Sequence, residues 1–240
     1  LAGVGSGTKI SHVEVAYSID DGIEIFGGTV DLSYCSSFYN QDDQIDLEAG
    51  YRGRLSYIFV MSGNGHRGIE VDSTRGDPDV VSPRTRVEIA HATIIGNPLS
   101  TFPAIEFRGG ASGAIVASVL SHAGSTAVKI TTCSLSQSNT TTNQLPSVST
   151  FKPNAIYLDP FMIISDTGTQ VSQDSSCGTN TISTNKTLSL RLLPTIPTEG
   201  ILMVDPRPKH DTEGPWRRDK DVWSIAAYAG RAPFSDQGFQ

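Results

Sequence analysis

The residues best suited to chemistry are two acidic pairs near the start of the chain. Asp20-Asp21 recurs as Asp42-Asp43, 22 residues later, and each pair precedes a short apolar–charged–apolar triplet. Crowded carboxylates can act as general acids and bases, because neighbouring negative charge raises the pKa of one of them. Aspartates are also favoured in turns, where they accept hydrogen bonds from nearby backbone N–H groups. Turn chemistry is the preferred interpretation, and acid–base work is the alternative.

A histidine in the following turn extends this candidate site. His66 lies in the segment Asn64-Gly65-His66-Arg67-Gly68. If the turns form one catalytic site, its residues are Asp21, Asp42, Asp43 and His66. An enzyme that hydrolyses polysaccharide with inversion needs two carboxyl groups about 6.5 to 9.5 Å apart in one groove. A plain surface histidine is the preferred interpretation, and no catalytic residue is favoured.

The triplets themselves form the strongest pattern in the chain. They are centred on charged residues with apolar neighbours on both sides, at Glu24, Asp46, Glu70, Glu106 and Lys129. Period-two alternation is typical of a strand with one buried face. The charged residues should therefore form an outward column, which we expect to be solvated. Glu24, Asp46 and Glu70 are the candidate ligands if the column binds calcium, since this ion prefers oxygen donors.

The spacing of the triplets predicts the fold. They recur every 22 to 24 residues, apart from one step of 36 that contains Asp77-Pro78-Asp79 and Ser82-Pro83 and indicates an inserted loop. Ile156-Tyr157-Leu158 is a plausible sixth triplet. A second family of strands precedes the triplets, starting with residues 10–15 and 30–35. Repeating strands without helical periodicity favour an all-β, right-handed parallel β-helix, a solenoid with at least two strands in each coil.

The second half of the chain is less regular. We predict β-helix coils over residues 1–164, with a Ser/Thr-rich loop at 131–150, and loop-rich closing coils with a C-terminal cap over 165–240. Trp216, Trp223 and Tyr228 belong to the expected cap. Cys35 is predicted to be a buried thiol, and Cys133 and Cys177 are placed where they could pair. The sequons at Asn139 and Asn185 permit glycosylation in a eukaryotic source.

Composition and charge restrict the function classes. The formal net charge is -7 and charged residues make up 18% of the chain, with 23 glycines. No basic stripe is present to contact phosphates, so nucleic acid is excluded as a partner. No apolar run reaches the length of a membrane span. We expect a mature or truncated chain from a secreted, extracellular or cell-surface protein that requires no cofactor, with calcium as an option.

Two families share parts of this pattern. The segment Gly3-Val4-Gly5-Ser6-Gly7-Thr8, the strand at His12, the stretch from Asp20 to Val30 and Asp205-Pro206-Arg207-Pro208 resemble secreted bacterial β-helix proteins of the cell-surface lipoprotein or type IX secretion substrate kind. That resemblance implies a β-helix at the cell surface and no assigned activity.

The second resemblance is to the polygalacturonase-like glycoside hydrolases. Asp20 or Asp21, then Asp42-Asp43, then Gly65-His66-Arg67 are similar to the acidic and Gly-His-Gly motifs that this family places on successive coils, and Lys129 is similar to its later basic residue. Arg67 stands where the family has its second glycine. This resemblance implies a carboxylate pair acting on polysaccharide.

The preferred interpretation is a non-catalytic extracellular module, such as a surface adhesin, a matrix component or a subunit of an external assembly. Its expected partners are polysaccharide or other extracellular protein subunits, in a homo- or hetero-assembly. The alternative is a polysaccharide-active glycoside hydrolase or lyase that uses paired carboxylates. The fold alone does not distinguish the non-catalytic module from the enzyme.

Overall fold

Short parallel strands wind around one apolar core. The computed structural model describes residues 1–134, 141–142, 156–158, 163–164, 169–177, 191–192 and 204–205. Its strands are β1 (Lys9–Ser11), β2 (Glu14–Ala16), β3 (Ile23–Phe26), β4 (Asp31–Ser33), β5 (Ser36–Phe38), β6 (Ile45–Glu48), β7 (Arg54–Ser56), β8 (Phe59–Met61), β9 (Ile69–Asp72), β10 (Arg86–Ala90), β11 (Thr93–Ile95), β12 (Ile105–Arg108), β13 (Ser112–Val116), β14 (Val119–Ser121), β15 (Thr126–Ile130), β16 (Thr141–Thr142), β17 (Ile156–Leu158), β18 (Ile163–Ile164), β19 (Thr169–Gln173), β20 (Arg191–Leu192) and β21 (Val204–Asp205).

Three parallel sheets contain all but the last two strands. Sheet 1 has the order β3-β6-β9-β12-β15-β19, sheet 2 has β1-β4-β7-β10-β13-β17-β16, and sheet 3 has β2-β5-β8-β11-β14-β18. Each strand pairs with the equivalent strand of the next coil, which is the architecture of a right-handed parallel β-helix. The predicted fold class is confirmed. β20 and β21 form an antiparallel pair.

The register of sheet 1 follows the triplets. Ile23 pairs with Ile45, Ile45 with Ile69, Ile69 with Ile105, and Ile105 with Val128. All five are buried and form one interior column. The assignment of Ile156-Tyr157-Leu158 to this sheet is wrong, because β17 pairs with β13 in sheet 2. The sixth strand of sheet 1 is β19, whose Val171 pairs with Val128.

The second family of predicted strands is divided in two by a corner. The corner residue has a positive φ in each coil, between 45° and 59°, and is His12, Tyr34, Tyr57, His91 or Ala117. This left-handed conformation is uncommon for residues other than glycine. It turns the chain from sheet 2 into sheet 3, so each of these coils has three strands, in agreement with the prediction of at least two.

The rings at these corners stack along the solenoid axis. Ring centroids are 4.9 Å apart for His12 and Tyr34, 4.8 Å for Tyr34 and Tyr57, and 4.9 Å for Tyr57 and His91. These distances match the spacing of neighbouring strands. We call these four residues the aromatic column.

The irregular features fall where the sequence indicates them. Residues 73–85 form the inserted loop between β9 and β10. Cys133 and Cys177 form a disulfide across a sequence separation of 44, and Cys35 is a free, buried thiol. Within the described ranges, no helix has the length and apolar character needed to cross a membrane. The sequons, the proposed cap and most of the 131–150 loop lie outside the described residues.

Candidate functional site

The acidic pairs lie in the turns that lead from sheet 3 into sheet 1. These turns stack on one another, and each is fixed by the one beside it. Asp43 N donates to Asp21 Oδ1 at 3.0 Å, and Arg67 N donates to Asp43 Oδ1 at 2.6 Å. The aspartates therefore bridge successive coils through the backbone, as expected from turn chemistry.

A buried amide network supports the same turns. Asn40 and Gln44 are 1% and 0% exposed, and Asn40 Nδ2 donates to Gln44 Oε1 at 2.9 Å and to Ser37 Oγ at 2.8 Å. Gly22 is packed so closely here that a Cβ would lie 2.1 Å from Ser37 Oγ. The sequence analysis missed Asn40 and Gln44, although they flank Asp42-Asp43. Their satisfied hydrogen bonds hold the acidic turn in one conformation.

The charged column of sheet 1 is in the predicted register but is not solvated. Glu24 pairs with Asp46, Asp46 with Glu70, and Glu70 with Glu106. Asp46, Glu70 and Glu106 are only 3%, 6% and 5% exposed, so the predicted exposure of these three is wrong. Like charges 4.8 Å apart cannot remain in a buried column without compensation.

Two arginines supply that compensation. Arg67 Nη1 lies 3.2 Å from Asp43 Oδ2 and 3.5 Å from Glu70 Oε1, and Arg67 Nε contacts Glu106. Arg108 Nη1 donates to Glu70 Oε1 at 2.7 Å. We call Arg67, Arg108, Asp43, Glu70 and Glu106 the buried ion network. Arg67 is the residue that departs from the glycoside hydrolase motif, and here its guanidinium is shared by three carboxylates.

The carboxyl groups in and beside this network have pKa values that are shifted in opposite directions. Burial raises the pKa of Asp43 to about 8 against the opposing effect of Arg67, and Glu70 raises it further. Burial also acts to raise the pKa of Glu70, but Arg67 and Arg108 outweigh it and the net shift is downward. Burial, with repulsion from Glu70, raises the pKa of Asp46 to about 9. These shifts favour the protonated form of Asp43 and Asp46 and the ionised form of Glu70.

Asp42 and His66 form the accessible part of the site. His66 Nδ1 lies 2.5 Å from Asp42 Oδ1, and the two side chains are 44% and 39% exposed. The imidazole stacks on Phe102 with a centroid distance of 4.3 Å. The carboxylate orients the ring through Nδ1, and Nε2 is the ring nitrogen left for a ligand.

The structure brings the predicted site residues together in three overlapping groups. One ligating atom from each member lies within 4.8 Å of the others in Asp42–Asp43–His66, in Asp20–Asp21–Asp42 and in Asp21–Glu24–Asp46. The separate catalytic and metal candidates are therefore parts of one region. Glu70 is the exception, because it is bound by the two arginines. We call Asp20, Asp21, Glu24, Asp42 and His66 the acidic patch.

The geometry is unfavourable for a carboxylate pair made of Asp42 and Asp43. Asp42 and Asp43 are adjacent in the chain, but only the side chain of Asp42 is accessible to solvent. Asp43 is 1% exposed, and its carboxyl group accepts hydrogen bonds from the backbone N–H and from the guanidinium of Arg67. It holds the turns together and does not face a substrate. The groups that face solvent are those of the acidic patch.

Comparison with known proteins identifies the domain family. No match was found among curated proteins or among solved structures. The family model described as pectate-lyase-like β-helix domain matches residues 1–188, which is most of the chain. The match covers every coil that contributes to the three sheets and all residues of the acidic patch. The chain therefore belongs to the pectate-lyase-like β-helix domain family.

Proposed function

We propose that this protein is a non-catalytic, extracellular β-helical module that binds polysaccharide through the acidic patch. The observation that carries this proposal is the division of the carboxylates into two sets. Asp43, Glu70 and Glu106 are buried and bonded to arginines, whereas Asp42 and His66 remain accessible beside the ring of Phe102. The first set maintains the fold, and the second is available for a ligand.

The chemistry of the patch suits sugar hydroxyl groups. Ionised carboxylates are acceptors only, and hydroxyl groups are donors that they bind strongly. The exposed face of an aromatic ring packs against the apolar face of a sugar, in the way that polar groups and aromatic side chains combine in ligand sites. The negative charge of the patch favours neutral or basic polysaccharides over acidic ones. The family description supports a polysaccharide-related role.

The disulfide supports the extracellular location. Cys133 and Cys177 are bonded to each other, and such bonds persist in oxidising compartments. The resemblance to cell-surface β-helix proteins agrees with this location. It also agrees with a module that attaches to a matrix without altering it.

Binding and cleavage must be measured separately. Calorimetric titration with neutral, basic and acidic polysaccharides should give binding to neutral or basic chains, with no new reducing ends and no unsaturated products. Asp42→Asn and His66→Ala should each weaken binding at least tenfold. Glu88→Gln is the matched control, because Glu88 is an acidic residue of sheet 2 whose partner is Arg54. Failure of every polysaccharide to bind would end the proposal.

A polysaccharide-active enzyme is the second candidate, and one contact favours it. A histidine held by a carboxylate at 2.5 Å is a suitable general base. The base would be His66 oriented by Asp42, which differs from the predicted mechanism with paired carboxylates. Release of products by the wild type, lost in His66→Gln with the fold retained, would establish this candidate.

A further inference from the structure

The starting observation is a buried carboxylate oxygen that lacks a partner. Asp46 lies on β6 and is 3% exposed, and its Oδ1 atom has no hydrogen-bond partner among the described residues. Burying such an atom costs free energy comparable to a lost hydrogen bond or more. Protonation does not remove this cost, because the resulting hydroxyl group would itself need an acceptor. The atom therefore points to a missing ligand.

The carboxyl group of Asp46 has two further carboxylates as neighbours. Asp21 belongs to the turn before β3 and Glu24 to β3 itself, and both are half-buried. One oxygen from each of Asp21, Glu24 and Asp46 lies within 4.8 Å of the other two. The three residues come from two adjacent coils, and exposure increases from Asp46 to Asp21 and Glu24.

These three carboxylates have no basic partner. Asp42 is bonded to His66, and Asp43, Glu70 and Glu106 are bonded to arginines. Among the described residues, no arginine or lysine forms an ion pair with Asp21, Glu24 or Asp46. The protein compensates the buried carboxylates Asp43, Glu70 and Glu106 with guanidinium groups and does not do so for the buried Asp46.

We propose that Asp21, Glu24 and Asp46 bind one calcium ion between the first two coils. Calcium takes oxygen ligands at about 2.3 to 2.6 Å, so two oxygens on opposite sides of it can be up to about 5 Å apart. The observed limit of 4.8 Å is within that reach. Magnesium demands near-ideal octahedral geometry and loses its water ligands reluctantly, so a set of three protein carboxylates suits it less well. Water completes the coordination on the open side.

This set of ligands differs from the one that the sequence indicates. Glu70 is not one of the proposed ligands, because Arg67 and Arg108 bind it. Asp21, from the turn before β3, is a ligand instead. The ion would be the shared cation of Asp21, Glu24 and Asp46, as Arg67 is the shared cation of Asp43, Glu70 and Glu106. Its presence does not depend on polysaccharide, so the cation proposal and the proposed function can fail independently.

The test uses calcium chloride and no polysaccharide. Chelator-treated protein is titrated with calcium chloride by calorimetry, and its melting temperature is measured with calcium and with excess chelator. We expect one ion per chain and a melting temperature that rises with calcium concentration, because an ion that binds only the folded chain stabilises it. Magnesium at the same concentration should give a smaller rise. No heat of binding and an unchanged melting temperature at millimolar calcium would overturn the proposal.

Two substitutions locate the ion. Asp46→Asn should weaken calcium binding at least tenfold, and Glu24→Gln should do the same if Asp46→Asn proves hard to purify. Glu48→Gln is the matched control, since Glu48 is a half-buried carboxylate two residues further along the same strand and outside the set. It should keep the affinity of the wild type. Equal loss in Glu48→Gln and Asp46→Asn would show a diffuse charge effect and would overturn the assigned site.

Discussion

Two columns of stacked side chains run along this solenoid, and they differ in how their side chains tolerate the short spacing between neighbouring coils. In the aromatic column, rings of successive coils lie 4.8 to 4.9 Å apart and contact one another directly. In the charged column, carboxylates occupy equivalent positions of sheet 1 at the spacing of neighbouring strands. Stacking favours rings at this distance, whereas it brings like charges together.

The difference between the two columns is that stacked charges need compensation and stacked rings do not. Two charges 4.8 Å apart repel by roughly 0.9 kcal/mol in water and by about 3.5 kcal/mol at an effective dielectric constant of 20. The charged column is buried, so it needs counter-charges that the aromatic column does not need. Arg67 and Arg108 provide them from the third and fourth coils, which makes this face of the solenoid specific to particular coils.

The largest effect is expected when the guanidinium of Arg67, which three carboxylates share, is removed. Arg67→Met should lower the free energy of unfolding by about 3 to 5 kcal/mol at pH 7, because it leaves buried carboxylates without their partner. Urea unfolding measures the change. The control is Arg54→Met, which removes an ion pair whose side chains are 58% and 31% exposed and should cost less than about 1 kcal/mol. Similar losses in the two variants would contradict the role of the buried ion network.

The two columns should respond to pH in opposite directions. The pKa values of Asp43 and Asp46 are raised to about 8 and about 9, so above about pH 4 the folded chain holds protons that the unfolded chain releases. With a chelator present, stability should fall as pH rises toward 8, by up to about 1.4 kcal/mol per unit for each group. Burial lowers the pKa of His91, so its contribution is lost as pH falls below about 6.5.

Urea unfolding from pH 5 to pH 9 checks both directions, with one variant for each column. Asp46→Asn should flatten the fall at high pH, and His91→Gln should flatten the fall at low pH. The expectation fails if Asp46→Asn retains the full slope of the wild type between pH 6 and pH 8.

The next effect concerns the aromatic column. Tyr57 stacks on both Tyr34 and His91, so Tyr57→Ala should cost about 1 to 3 kcal/mol, as two ring pairs are worth about 0.5 to 1.5 kcal/mol each. Ala117 occupies the same corner in a later coil with φ 45°, so the fold accepts alanine there. His12→Ala removes the stacked pair with Tyr34, at one end of the column, and should cost less than Tyr57→Ala. Thermal unfolding with and without 1 M salt should show equal losses, unlike those of Arg67→Met.

The smallest effect is expected where an aromatic ring contacts the charged region. The centroid of the Phe102 ring lies 5.5 Å from the Arg67 guanidinium, and the ring stacks on His66. Phe102→Leu should cost about 0.5 to 1 kcal/mol, the range for partly exposed cation–π contacts. It should change the NMR chemical shifts of the His66 ring protons more than those of His12, because Phe102 stacks on His66. Unchanged His66 chemical shifts would show that the ring does not contribute to the accessible site.

The fold could be predicted from the sequence because buried apolar side chains recur with the period of the coils. Ile23, Ile45 and Ile69 recur at nearly constant spacing, and each lies where the repeat predicts. The triplet at Ile156 misled the assignment because alternation identifies a strand but not its sheet. The corner between sheets 2 and 3 was missed for a related reason: tyrosine and histidine rarely adopt a positive φ, so no residue type marked the bend.

The site could be predicted only as a set of residue types. Asp42, Asp43 and His66 do lie together, because they occur in stacked turns of the same kind. Their division into buried and accessible groups depends on Arg67 and Arg108, which bind Glu106 and Glu70 at separations of 39 and 38 residues in the chain. Long-range pairing of this kind leaves no periodic trace in a single sequence. The isolated oxygen of Asp46 likewise appears only when neighbouring coils are placed side by side.

The disulfide between Cys133 and Cys177 has a mechanical consequence when the chain is under load. A pulling force along the chain would peel off coils one at a time, because each coil contacts only its neighbours. The covalent bond closes a loop across 44 residues, which withholds about 150 Å of extensible chain from the applied force. Until it is reduced, the load passes directly from Cys133 to Cys177, and the segment between them is shielded from tension.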